Sequence, residues 1–116
     1  MNLQFFFVSV AGCKDIQHLE ELAKKAENYF AQQSVDHRTK QKIYQKLVAA
    51  YHRVTGLNLA SEKMKELFPS LYERLPLFLR DPELKFSVDD VDGLIRTDIP
   101  GSTFVFLNNS WRRNDY

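Results

Sequence analysis

The chain has few of the residues that build cross-linked, disordered or membrane-spanning proteins. Its 116 residues include one cysteine, four glycines and four prolines. A single cysteine excludes an internal disulfide, which fits a reducing compartment such as the cytoplasm. No apolar run approaches the roughly 20 residues that a membrane-spanning helix needs, so no membrane partner is expected. Low-complexity segments and internal repeats are also missing, which argues against a disordered or repetitive chain.

The sequence also lacks the motifs of cofactor and metal sites. It contains no glycine-rich phosphate loop, no His-Glu-x-x-His pattern and no paired cysteines. A cysteine nucleophile needs a histidine base, and His18 follows Cys13 by five residues without a local family signature. We therefore expect a protein that is not an enzyme and binds no cofactor or metal. A small enzyme that uses Cys13 and His18 is kept as an alternative.

The residues that are present suit one folded domain. Of all residues 44% are hydrophobic and 13% aromatic, and a chain of this length buries roughly two-thirds of its unfolded surface. Residues 1–116 are therefore expected to form a single domain with a true hydrophobic core.

The N-terminal run FFFVSVAGC allows two interpretations. A bacterial lipoprotein signal also ends in small residues and a cysteine, here Cys13, but it begins with basic residues and has a longer apolar stretch. The first four residues carry no charge, and the apolar stretch is only 5–10. We therefore predict a buried, central strand over about 3–11 and keep the lipoprotein as the minor alternative.

Three helices are predicted next. Apolar residues at helical spacing indicate a first helix over about 15–32, capped by Asp15, and a second over about 36–54, capped by Ser34 or Asp36 and followed by Gly56. A third helix begins at Asn58 or Ser61, and Pro69 kinks or breaks it. Residues 75–82 are apolar but flanked by prolines, which predicts an irregular stretch packed on the core.

The last third of the chain has the pattern of short strands. The segments LKFSV, LIRTDI and TFVFLN are strand-like, and DDVDG between the first two indicates a turn, although Ser87 could cap one helical turn. TFVFL is expected beside the N-terminal strand. The predicted fold is α+β, with three helices on one face of a small mixed or antiparallel sheet in the order β-α-α-α-β-(β)-β.

Charge is distributed unevenly along the chain. Residues 37–80 carry nine Lys and Arg against three Glu, while both flanking segments are acidic. On the second predicted helix four basic side chains fall within an arc of about 80°, taking about 100° per residue. They are Arg38, Lys42, Lys46 and Arg53. Such a face is either a solvated helix surface or a contact for an acidic protein or for phosphates.

The C-terminal segment is a second candidate contact. Trp111, Arg112 and Arg113 belong to the residue types that dominate binding hot spots. The alternative is that Trp111 packs on the sheet while the tail from about residue 108 is mobile.

In scale and composition the chain resembles small bacterial inhibitor, immunity and antitoxin-type proteins, a likeness of type that no motif carries. We therefore expect a protein-binding module that occupies a partner protein through Arg38, Lys42, Lys46, Arg53, Trp111, Arg112 and Arg113. The alternative is a nucleic-acid-binding regulator that uses the basic helix face. A homodimer is also left open.

Overall fold

A computed structural model describes residues 1–114 and gives an α+β fold, as predicted. The helices are α1 (Leu3–Ala11), α2 (Ile16–Gln32), α3 (His37–Thr55), α4 (Ser61–Leu67) and α5 (Pro69–Glu73). The strands are β1 (Leu59–Ala60), β2 (Lys85–Val88), β3 (Ile95–Ile99), β4 (Ser102–Leu107) and β5 (Ser110–Arg113). They form one antiparallel sheet in the order β1-β2-β3-β4-β5.

The predicted N-terminal strand is wrong, because residues 3–11 form helix α1. The Asn2 side chain accepts a hydrogen bond from the Phe5 amide and so caps the helix. Phe6 and Val10 are buried. The predicted order β-α-α-α-β-(β)-β therefore fails at its first element, and β4 has no N-terminal strand to pair with; its neighbours are β3 and β5.

The two long helices agree with their predictions. Asp15 caps α2 by accepting from the His18 amide, and Asp36 caps α3 by accepting from the Thr39 amide. Gly56 ends α3 in the left-handed conformation, with φ of 73°. Caps of this kind satisfy backbone groups that a helix end leaves unpaired, which is why the ends could be predicted closely.

The third predicted helix is divided in two at the proline. α4 ends at Leu67, Phe68 adopts a non-helical conformation, and Pro69 begins α5. α4 begins at Ser61, one of the two predicted starting residues, and it has no side-chain cap. Residues 75–82 are irregular apart from one 3-10 turn, Leu77–Leu79, within which Leu79 is fully buried.

The C-terminal segment forms an edge strand of the sheet. Asn108 and Asn109 both have positive φ, as a two-residue hairpin turn of type I′ requires, and they connect β4 to β5. Ser110–Arg113, which the sequence allowed as part of a mobile tail, is placed as a strand. Residues 115 and 116 lie outside the described part of the chain.

One buried cluster joins the helices to the inner face of the sheet. The Tyr44 ring of α3 packs edge-on against Phe106 of β4, with ring centres 5.8 Å apart. Phe86 and Ile95 bring β2 and β3 into the same cluster. Successive residues of a strand point to opposite faces, so the outer face of the sheet carries the alternate residues such as Arg96, Val105 and Arg112.

Candidate protein-interaction surface

Helix α1 carries apolar residues on two opposite sides. Seven of its nine residues are apolar and none is charged. A helix of that composition is normally buried on all sides. Here one side packs on α2 and α3, while Phe5 and Val8 on the other side remain 70% and 65% exposed. Met1, just before the helix, is 41% exposed. We call Met1, Phe5 and Val8 the α1 apolar face.

A groove runs along one edge of this face. It has a volume of about 290 Å³ and is lined by Met1, Asn2, Phe5, Phe6, Ser9, Leu22 and Lys25. Leu22 and Lys25 come from α2, so the groove lies between the two helices. No acidic residue is among those lining residues. The groove is therefore apolar at its base and carries a cation at its rim.

The opposite edge of α1 meets the basic face of α3. The Lys42 ammonium lies 5.0 Å from the centre of the Phe7 ring, within the range of a cation–π contact. The Arg53 guanidinium donates from Nη2 to the carbonyl oxygens of Val10, at 2.8 Å, and Cys13, at 3.0 Å. Carbonyls at a helix end have no partner within the helix, so Arg53 caps the C-terminal end of α1.

The four predicted basic residues of α3 thus have different surroundings. Arg53 is engaged with the chain that leaves α1, and Lys42 lies over Phe7. Arg38 and Lys46 are exposed on the same helix. The basic face of α3 therefore borders α1 at Phe7 and at the C-terminal end of that helix, a neighbour that was not expected from the sequence.

The C-terminal candidates lie elsewhere. The Trp111 ring packs against Phe86 and Phe106, with ring centres 5.3 and 5.2 Å away, so it belongs to the inner face of the sheet. Arg112 pairs with Val105 across the strands and faces the outer side. Arg113 donates to the Ser102 hydroxyl oxygen. The structure does not bring these residues together with the basic face of α3.

A half-buried polar cluster ties three helices together and could be mistaken for a catalytic group. The Glu27 carboxylate accepts hydrogen bonds from the Ser70 amide, at 3.1 Å, and hydroxyl, at 2.9 Å, and the Tyr44 hydroxyl is hydrogen-bonded to Ser70 Oγ. Burial raises the pKa of Glu27, and it raises the pKa of Tyr44 to about 12. Since α5 has no side-chain cap of its own, Glu27 supplies one from α2. We assign the cluster to the fold.

The Cys13 and His18 pair is not arranged as a nucleophile and a base. Cys13 is 1% exposed, and its thiol donates to the Asp15 carbonyl oxygen at 3.3 Å. His18 is exposed in the first turn of α2. Within residues 1–114 no group of three or more His, Cys, Asp or Glu side chains is placed to hold a metal ion. None of the helices in that range is long and apolar enough to cross a membrane.

The sequence contained one signal for this surface. Leu3, Phe6, Phe7 and Val10 follow the i, i+3, i+4, i+7 spacing of a helix face, with Asn2 as its cap. That pattern would have left Phe5 and Val8 on the opposite side.

Comparison with protein-family models, curated proteins and solved structures yields no match.

Proposed function

We propose that the chain is a non-enzymatic protein-binding module of inhibitor, immunity or antitoxin type, which acts in the cytoplasm by occupying a surface of another protein. The observation that supports this is the α1 apolar face. Leaving Phe5 and Val8 in water forgoes the free energy of burying them, about 1.5–3 kcal/mol for a full side chain. A partner that covers them recovers it.

The contact surface in this proposal is the α1 apolar face together with Arg38, Lys42 and Lys46 of α3. An apolar centre with a charged rim is the usual arrangement of a protein interface, in which the rim steers the encounter and the centre supplies affinity. Trp111 keeps its place in the sheet, and Arg112 and Arg113 are left as a separate, weaker candidate contact.

A paired pull-down tests the proposal. The tagged full chain, a Phe5→Ser/Val8→Ser variant and a Val91→Ser control are incubated with lysate of the source organism, with and without nuclease. Val91 is 96% exposed in the turn between β2 and β3, far in sequence from α1, so its substitution matches the change in chemistry without touching the surface.

We expect one protein that is retained by the wild type and the control, survives nuclease and is lost with the double variant. Recovery that disappears with nuclease, and falls when Lys42 and Lys46 are changed to Glu, would overturn the proposal in favour of a nucleic-acid-binding regulator. Equal recovery by all three proteins would remove α1 from the contact.

A further inference from the structure

Phe5 and Val8 of α1, together with Met1 just before the helix, have the spacing of a helix-packing seam. Met1, Phe5 and Val8 are separated by four and then three positions. Apolar residues that alternate between these two separations are those through which one helix packs along another. Phe5 and Val8 are both well exposed and project from the same side of α1. The shape that fits such a seam is a second helix.

The groove beside the seam offers a place for a side chain of that helix. Its volume of about 290 Å³ is roughly ten times the share of one water in the liquid, about 30 Å³. Phe6 and Leu22 line it from α1 and α2 and are nearly fully buried, so its walls are already fixed by the core. An apolar residue of a partner helix would enter a preformed site.

The lysines beside the seam and the groove favour a partner helix of a particular charge. Lys25 borders the groove on the α2 side, and Lys42 lies against Phe7 on the α3 side. α1 itself contributes no charge between them. A partner with acidic residues on both sides of its apolar stripe meets a lysine at each edge. A second copy of this chain, packed through the same face, would bring lysines against lysines, which is unfavourable.

We infer that the α1 apolar face and the α1–α2 groove receive an amphipathic helix of a different protein, whose apolar stripe is flanked by Asp or Glu. This inference rests on the proposed function and specifies the chemistry of the partner. It places the anchor of the interaction at Phe5 and Val8, with Lys25 and Lys42 selecting the charge of the partner helix.

Two synthetic peptides test the inference. Both are about 16 residues long, a length at which helices become marginally stable in water, and share one leucine stripe; one is flanked by Glu and the other by Lys. Each is titrated into isotope-labelled full chain while amide resonances are followed by NMR. We expect the Glu peptide to shift amide resonances of α1, of α2 and of the part of α3 around Lys42. It should bind about tenfold or more tightly than the Lys peptide, and its affinity should fall as salt is added.

Variants make the result specific. Phe5→Ser should abolish the shifts, Val91→Ser should leave them unchanged, and Lys25→Glu should weaken the Glu peptide and strengthen the Lys peptide. Equal affinities for the two peptides, an absence of shifts in α1 and α2, or insensitivity to Phe5→Ser would overturn the inference.

Two further titrations test whether something other than a partner helix binds the α1 apolar face. Shifts of the α1 resonances that grow with the concentration of the chain alone would assign the face to a second copy. Shifts with vesicles of anionic lipid but with neither peptide would assign it to a membrane surface. If both peptides fail while Phe5→Ser/Val8→Ser still loses a protein in the pull-down, this inference fails and the proposed function stands.

Discussion

Arg53 and Val10 lie 43 positions apart and are joined by a hydrogen bond of 2.8 Å from the guanidinium to the backbone carbonyl oxygen. A second bond to the Cys13 carbonyl completes the contact. A residue of the basic face of α3 thus fixes the end of α1. The orientation of the α1 apolar face therefore depends on a side chain that the sequence suggested only as a partner contact.

Replacement of Arg53 by Ala should loosen α1. It removes two hydrogen bonds from a charged donor, and we expect the free energy of unfolding to fall by about 1–2 kcal/mol. Amide exchange in α1 should accelerate more than in α3. Chemical denaturation and hydrogen exchange measure the two effects. Lys46→Ala, an exposed position on the same helix, is the control, and an equal loss in both variants would contradict the capping role.

The two sides of α1 should respond oppositely to substitution. Phe5→Ser removes a side chain that is already 70% exposed, so the free energy of unfolding should change by no more than about 0.5 kcal/mol. Phe6→Ala empties a position that is 2% exposed and should cost about 3–5 kcal/mol. Urea titration of both variants checks this. Comparable losses would mean that α1 buries its Phe5 side.

Protonation of Glu27 should make a separable contribution to the pH dependence of stability. Burial raises its pKa above 4.5 in the folded chain, so the stability contributed by its protonated form is complete below that value and is lost as pH rises through the folded pKa. Asp36 and Asp89 act in the opposite direction. Backbone hydrogen bonds lower their pKa, so their contribution is present above 3.8 and is lost as pH falls through their folded pKa.

Glu27→Gln isolates the first effect, because the amide oxygen still accepts from Ser70 but does not ionise. The Tm of the variant minus that of the wild type should increase between about pH 4 and about pH 7. Glu21→Gln, exposed on the same helix, is the matched control. A Tm difference for Glu27→Gln that is constant with pH would contradict the assignment.

Two glycines at helix ends should differ in their tolerance of alanine. Gly56 has φ of 73°, so Gly56→Ala forces a strained backbone and should lower the free energy of unfolding by about 1 kcal/mol. Gly12 has φ of −90°, and a Cβ there would lie 3.5 Å from the Val8 carbonyl oxygen, an ordinary contact. Gly12→Ala should therefore stabilise the chain by about 0.4–1 kcal/mol. Thermal unfolding of both variants measures the two effects. A change in Tm of the same sign for both variants would refute the distinction.

The parts of the fold that sequence predicts are those in which local signals agree. In α2 and α3, apolar spacing, an aspartate cap and, for α3, Gly56 all indicate the same boundaries. At Phe5 to Val8 the signals conflict, because aromatic and β-branched residues favour strands while Leu3, Phe6, Phe7 and Val10 have helical spacing. Tertiary contact with α3 decides for the helix.

Only the basic part of the candidate surface could be predicted from the sequence. The basic residues of α3 follow from their spacing, but their neighbour does not, because contacts such as Arg53 to Val10 join distant parts of the chain. β5 was missed for a local reason: the Asn108–Asn109 turn, in which both residues have positive φ, was not recognised as a hairpin signal. Trp111 packs on the sheet, which was one of the two interpretations that the sequence allowed for this residue.

The most direct test of the account is a crosslink from α1 itself. A photoreactive residue is placed at position 8 of the full chain, or at position 91 as a control, and the protein is irradiated in lysate of the source organism. We expect one crosslinked protein from position 8. It should be absent from position 91, and unlabelled wild type should compete with the crosslink while unlabelled Phe5→Ser should not. No crosslink at position 8, or the same products from both positions, would contradict the claim that the α1 apolar face binds a partner.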